Sequence, residues 1–163
     1  MVRRKLKETP EGVVYPVVCL SFVRLHPNAL VPEKKTEGSI GLDLGCVERM
    51  EIFPAKTQQK AYKVHTGVAC EIPEGYYATL HLRSSVGLNS KLRLANQTGI
   101  IDSDYTGEVI LLVENTGAFV ETIEPGERIA QLVLHKGVPV TTSEVKEIKK
   151  TKRGSKGFGS TGK

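Results

Sequence analysis

The 163-residue sequence contains no tryptophan, and phenylalanine and tyrosine together make up only 6% of it. So few aromatic rings argue against a surface that stacks nucleic-acid bases. Cysteine is scarce as well: Cys19, Cys46 and Cys70 are odd in number, widely spaced and form no C-x-x-C. A disulfide framework is excluded, and reduced thiols in a cytoplasmic compartment are expected. The histidines, His26, His65, His81 and His135, stand singly and lack metal-ligand spacing. No apolar run reaches the roughly 20 residues of a membrane span. The basic start MVRRKLKETPEG leads into VVYPVVCLSFV, which Pro16 and Ser21 interrupt, so no signal peptide is expected. Helical periodicity and internal repeats are also missing.

Period-two alternation takes their place. VVYPVVCLSFVRL, MEIFPA, AYKVHTGVACEI, YYATLHLRS, LRLANQTGII, EVILLVEN, AFVETI and RIAQLVLHKGVPV put apolar residues at alternate positions. Between them lie turn clusters such as Pro73-Glu74-Gly75, Asn115-Thr116-Gly117 and Pro125-Gly126-Glu127. Many short strands at close spacing predict an all-β sandwich or barrel. One short helical turn is expected over 84–91, where SSVGLNSK breaks the alternation. A barrel over 1–150 and a flexible arm over 151–163 are the expected organisation. Residues 1–7 carry four basic groups and no acid, and residues 146–163 net +6, so the total of +5 leaves the body at −5. Basic ends of this kind suit an anion or simple solvation.

Five stretches depart from ordinary β-protein filler. In GSIGLDLGC, Asp43 sits between apolar residues, as a turn cap or a site carboxylate. In HLRSSVGL, Arg83, Ser84 and Ser85 follow a strand, and the triplet suits a phosphate cradle and a serine N-cap equally. IIDSDYTGEV reads as a hairpin with Asp102 at a strand end and Tyr105 near its tip. Asp102 and Asp104, two apart in an extended chain, would face one side; they suit acid–base chemistry, ion binding or plain turn formation. In PGERIAQLVL, Gln131 interrupts an apolar strand. The last stretch, RGSKGFGSTGK, fits the phosphate-loop pattern up to Lys163. That pattern requires Ser or Thr next and a helix after it, and neither follows in the sequence. Its arginine, aromatic and glycines suit a nucleotide without a phosphate loop.

Taken in order, IGLDLG, RSSVGL, GIIDSDYTGEV, GERIAQLVL and RGSKGFGSTG resemble the five motifs of the trimeric dUTP diphosphatases (dUTPases), a likeness covering about residues 38–163. The resemblance implies a jelly-roll, or distorted β-barrel, subunit in a homotrimer with sites between subunits. It implies hydrolysis of dUTP to dUMP and pyrophosphate, which limits uracil in DNA and supplies dUMP for dTTP synthesis. Asp102 would be the general base for water attacking the α-phosphate. Mg²⁺ would ride on phosphate oxygens and waters, with Asp43 contacting it through water. Arg83, Ser84, Ser85 and Gln131 would contact phosphates. Asn96, with the backbone of Gly99, Ile100, Ile101 and Ile110, would line the uracil pocket, and Tyr105 would pack on the deoxyribose. Arg153 would clasp the γ-phosphate and Phe158 would stack on uracil, from an arm that closes over a neighbouring site. Neither a membrane nor a nucleic acid is required.

Three positions depart from the family pattern. Ser85 stands where glycine is commoner, Thr106 where arginine or glutamine is frequent, and Lys156 replaces an arm glycine. The rival of the same fold, dCTP deaminase, needs a glutamate ten residues after the hairpin aspartate. Leu112 stands there and cannot transfer a proton, although Glu114 lies two further along. The other rival is a basic-tailed nucleic-acid binder or a nucleotide-responsive regulatory or binding protein, supported by the pI of about 9.1.

Overall fold

A computed structural model describes residues 4–8, 12, 14–56 and 61–155. As expected, the described chain is all-β, with twelve strands and one six-residue helix. In chain order the elements are β1 (Arg4–Glu8), β2 (Val14–Val18), β3 (Ser21–Arg24), β4 (Leu42–Gly45), β5 (Met50–Ile52), β6 (Tyr62–Glu71), β7 (Tyr76–Leu82), α1 (Ser84–Asn89), β8 (Leu92–Leu94), β9 (Gly99–Ile101), β10 (Glu108–Asn115), β11 (Glu121–Ile123) and β12 (Arg128–Lys136). Two four-stranded antiparallel sheets form the body, ordered β3-β6-β10-β8 and β4-β12-β7-β9. The pairs β1–β2 and β11–β5 are separate two-stranded sheets.

Alternation sets which face each strand buries. Along β10, Val109, Leu111 and Val113 are fully buried, and Leu80, Leu132 and Ile129 join them in the same core cluster. Each such side chain contributes on the order of 1.5–3 kcal/mol by leaving water. Asn115, also fully buried, ends the strand without an orphaned polar atom. Its Nδ2 donates to the carbonyls of Ile52 and Phe119 at 2.9 and 2.7 Å, and its Oδ1 accepts from the Gly117 N–H at 2.8 Å. That amide therefore ties β10 to β5 and to the following loop.

Two local expectations are corrected. IIDSDYTGEV is not a paired hairpin: β9 pairs with β7, whereas β10 pairs with β6 and β8 in the other sheet. The segment between them crosses from sheet to sheet, and because residues 103–104 form a turn, Asp102 and Asp104 do not alternate along an extended chain. β12 ends at Lys136, and no strand or helix follows among the described residues to 155.

Candidate active site

The first half of the site is built on the outer face of one sheet. Gln131 on β12 lies opposite Asp43 on β4 and opposite His81 on β7. Asp43 is only 3% exposed, which a lone carboxylate would not tolerate, and its partners explain its burial. Arg128 Nη1 donates to Oδ2 at 2.9 Å, Gln131 Nε2 donates to Oδ1 at 3.0 Å, and Arg83 Nε lies 3.5 Å from Oδ1. Arg83 is held further by its N–H on the Ile129 carbonyl at 2.9 Å and its Nη1 on the Arg128 carbonyl at 3.2 Å. One carboxylate set against two guanidinium groups leaves the cluster net positive. The chemistry of such a cluster is anion binding.

Arg128 was not picked out from the sequence. Strict alternation puts positions 128 and 131 on opposite faces of a strand. A bulge reverses this: Arg128 pairs with Gly45 but Ala130 with Leu44, so two residues of β12 span one of β4. The consecutive buried pair Ile129 and Ala130 marks the bulge, which brings Arg128 onto the face of Gln131 and Asp43.

Arg83 is also the N-cap residue of α1, with extended backbone and no side-chain capping bond. The serine N-cap alternative is therefore set aside. Ser84 and Ser85 open the helix with exposed side chains.

The second half is a cavity of about 110 Å³ lined by Leu80, Leu94, Asn96, Gly99, Ile100, Ile101 and Ile110 among others. All five residues assigned to uracil by motif resemblance meet there, although they come from three separate stretches. Leu112 lines it too, whereas Glu114 sits opposite Arg93 across the β10–β8 ladder and faces a different cavity, shared with Arg83 and Ser84. Among the described residues no carboxylate lines the small cavity.

Asp102 and Tyr105 lie beside this cavity in sequence, on the crossing between the sheets. The Asp102 side chain is exposed, and its carbonyl accepts from the Tyr105 N–H at 3.2 Å. Tyr105 is 42% exposed, and its hydroxyl donates to the Glu108 carbonyl at 2.8 Å. The ring folds back over Gly107, where a Cβ would meet Oη at 2.7 Å, so a larger residue there would displace the ring.

Within one chain Asp43 lies apart from the base cavity. Asp43 and Gly99–Ile101 belong to opposite edge strands of one sheet, three strand spacings or roughly 14 Å apart. Asp43, Gln131 and His81 point outward from that sheet, while Gly99 and Ile101 point inward. Arg153 is an exposed residue of the final described segment, and Phe158 lies outside the described residues.

The donor set bears on a cation. Both oxygens of Asp43 accept from nitrogen donors and the carboxylate is buried, so it is committed to these side chains first. Among the described residues no group of three or more His, Cys, Asp or Glu could hold an ion. These residues fit an ion carried by a polyphosphate ligand rather than one caged by protein.

Comparison with known proteins adds a second line. A family model described as dUTPase matches residues 28–162. The deoxyuridine 5'-triphosphate nucleotidohydrolase of Wolinella succinogenes is 39% identical over 144 residues, spanning 88% of this chain and 94% of that protein. The enzyme of the same name from Helicobacter pylori strain P12 is 37% identical over 143 residues, spanning 88% and 96%. Among solved structures, the Staphylococcus bacteriophage 80alpha dUTPase G164S mutant with dUpNHpp superposes with a TM-score of 0.78 at 29% identity, covering 88% of this chain and 98% of that one. The two-sheet body is the jelly roll shared with these structures.

Proposed function

This chain belongs to the dUTPase family and is a dUTP diphosphatase, and from that premise we propose how its residues divide the reaction. The substrate is dUTP, and the products are dUMP and pyrophosphate. The observation that carries this reading is the cavity of about 110 Å³, the same order as the ~150 Å³ that holds one benzene ring. Backbone N–H and C=O groups of the β9 and β10 residues that line it would tell uracil from cytosine by donor and acceptor pattern.

Asp102 takes a proton from water as the water oxygen attacks the α-phosphorus. The bond from that phosphorus to the oxygen bridging the α- and β-phosphates breaks, and pyrophosphate leaves with the electron pair. Arg83 and Gln131, with Ser84 and Ser85, hold the phosphates. Asp43 acts on them by orienting Arg83, Arg128 and Gln131, and on an ion only through water. Family membership calls for a divalent metal. We take it as Mg²⁺, which would arrive with the nucleotide and offset phosphate charge. Tyr105 lies against the deoxyribose and leaves no room for a 2′-hydroxyl.

The separation of the two halves supports a shared site in a homotrimer. A nucleotide seated in the cavity of one chain would have to pass round the β9 edge to reach the Asp43 cluster of the same chain. Arg83 and Gln131 of one subunit therefore serve the cavity of its neighbour. The arm over 151–163 brings Arg153 to the γ-phosphate and Phe158 to the base.

The test is pyrophosphate release from dUTP, dCTP, dTTP and UTP, with dUTP turnover repeated in ¹⁸O-labelled water. The expected result is strong preference for dUTP and label in dUMP. Label in pyrophosphate, or comparable rates with dCTP or UTP, would contradict the scheme.

A further inference from the structure

We infer that Glu108 is a positioning residue for Tyr105, so that its carboxylate, through a bulge in β6, sets how sharply the site separates deoxyribose from ribose. This rests on the reading of Tyr105 as the sugar-facing ring.

The anchor begins at an irregularity in the β6–β10 ladder. Glu108 pairs with Ala69, but Ile110 pairs with His65, so two residues of β10 span four of β6. The extra residues leave the backbone around Gly67 without strand partners from β10. Gly67 has φ +66°, and a Cβ there would approach Val47, His26 and Ala29 to within 2.9 Å. The chain is therefore held in one unusual conformation.

Side chains replace the missing ladder bonds. Glu108 Oε1 accepts the Gly67 N–H at 2.7 Å, and Oε2 accepts from His65 Nδ1 at 2.8 Å. An ionised carboxylate only accepts, so the His65 proton lies on Nδ1 in this pair. Thr66 Oγ1 donates to the Val109 carbonyl at 2.6 Å and closes the other side of the gap. The Gly67 carbonyl is itself taken by the Leu25 N–H at 2.7 Å. The Glu108 side chain is only 21% exposed, so these bonds are sheltered.

The consequence reaches the site through one carbonyl. The Glu108 carbonyl is the acceptor for the Tyr105 hydroxyl. Fixing both carboxylate oxygens fixes the backbone of Glu108, and that fixes the far end of the ring. Glu108 also stands two residues before Ile110, which lines the base cavity. One clamp thus lies between the sugar-facing ring and the wall for the base. Steric rejection of a 2′-hydroxyl requires a ring that cannot yield, and the anchor removes its freedom to swing.

The readout is the ratio of kcat/KM for dUTP to that for UTP, measured on the full chain. Loss of fold or assembly lowers both rates together; loss of ring placement lowers the ratio. Glu108→Ala should lower the ratio by about tenfold, the low end for a lost pocket contact. Glu108→Gln keeps an oxygen for the Gly67 N–H and should stay within about threefold of the parent. Tyr105→Phe keeps the ring and removes only its tether, so its ratio should fall as well. That variant decides the matter if Glu108→Ala does not fold. An unchanged ratio in Glu108→Ala or Tyr105→Phe, with Tyr105→Ala lowering it, overturns the anchor and spares the sugar reading. An unchanged ratio in Tyr105→Ala overturns both.

Discussion

Replacing Asp43 by asparagine removes one charge from a group that is 3% exposed and keeps its shape. The amide still presents Oδ1 to Gln131 and Arg83, but its N–H₂ now faces the Arg128 Nη1 donor that sat 2.9 Å from Oδ2. Breaking a buried ion pair costs about 3–5 kcal/mol. The Arg83 and Arg128 side chains are 27% and 38% exposed, so water reclaims part of each guanidinium. A loss of about 2–3 kcal/mol follows for Asp43→Asn. At roughly 2–4 °C per kcal/mol for a chain of this size, Tm should fall by about 5–10 °C. Thermal unfolding followed by circular dichroism measures this, at one protomer concentration because assembly shifts Tm. The same preparation should lose about 10–100-fold in kcat/KM for dUTP, since Arg83 and Gln131 lose their common support. A Tm within about 2 °C of the parent would refute the account of the cluster. A lowered Tm with unchanged kcat/KM would make Asp43 a purely structural residue.

Asp102→Asn should bind nucleotide but turn it over about 10²–10⁴-fold more slowly, by single-turnover assay; near-parental turnover removes the base assignment. Deleting 151–163 removes no described strand or helix, so far-ultraviolet circular dichroism and trimer mass should persist while dUTP hydrolysis drops; unimpaired hydrolysis excludes a lid role. Burial pushes the Cys70 thiol up from 9.0 to about 11. Between these values the unfolded thiol ionises and the folded one does not, so stability is complete below pH 9 and falls as pH rises toward 11. The loss attributable to Cys70 is about 1.4 kcal/mol per pH unit and roughly 2–3 kcal/mol in all. Urea unfolding at pH 8, 9.5 and 11 should show a shallower decline for Cys70→Ala, and identical declines would contradict it.

The strands were legible where burial follows the two-residue period. EVILLVEN is the clearest case, because Val109, Leu111 and Val113 all turn inward. IIDSDYTGEV misled because turn residues between two apolar runs look alike whether the runs pair with each other or with different sheets. Partners outside the segment, β7 for Gly99–Ile101 and β6 for Glu108–Asn115, decided the matter. Asp43, Arg83 and Gln131 were legible as separate motif residues. Their convergence was not, because it depends on the order β4-β12-β7. Arg128 escaped because a bulge in its own strand reverses the parity that predicts its face, and Glu108 because its partners are exposed by a bulge in another strand, β6.

The central claim, a site assembled from Arg83 of one subunit and Asp102 of the next, is tested by mixing two inactive chains. Arg83→Ala and Asp102→Asn are co-refolded in equal amounts, mixed trimers are verified by native mass, and dUTP hydrolysis is measured. Three in four random trimers contain both chains, and each of these holds one interface with both residues intact among its three. Activity should therefore recover to about one quarter of the parental value. Verified mixed trimers that stay as inactive as either parent would show that Arg83 and Asp102 serve the same site from a single chain.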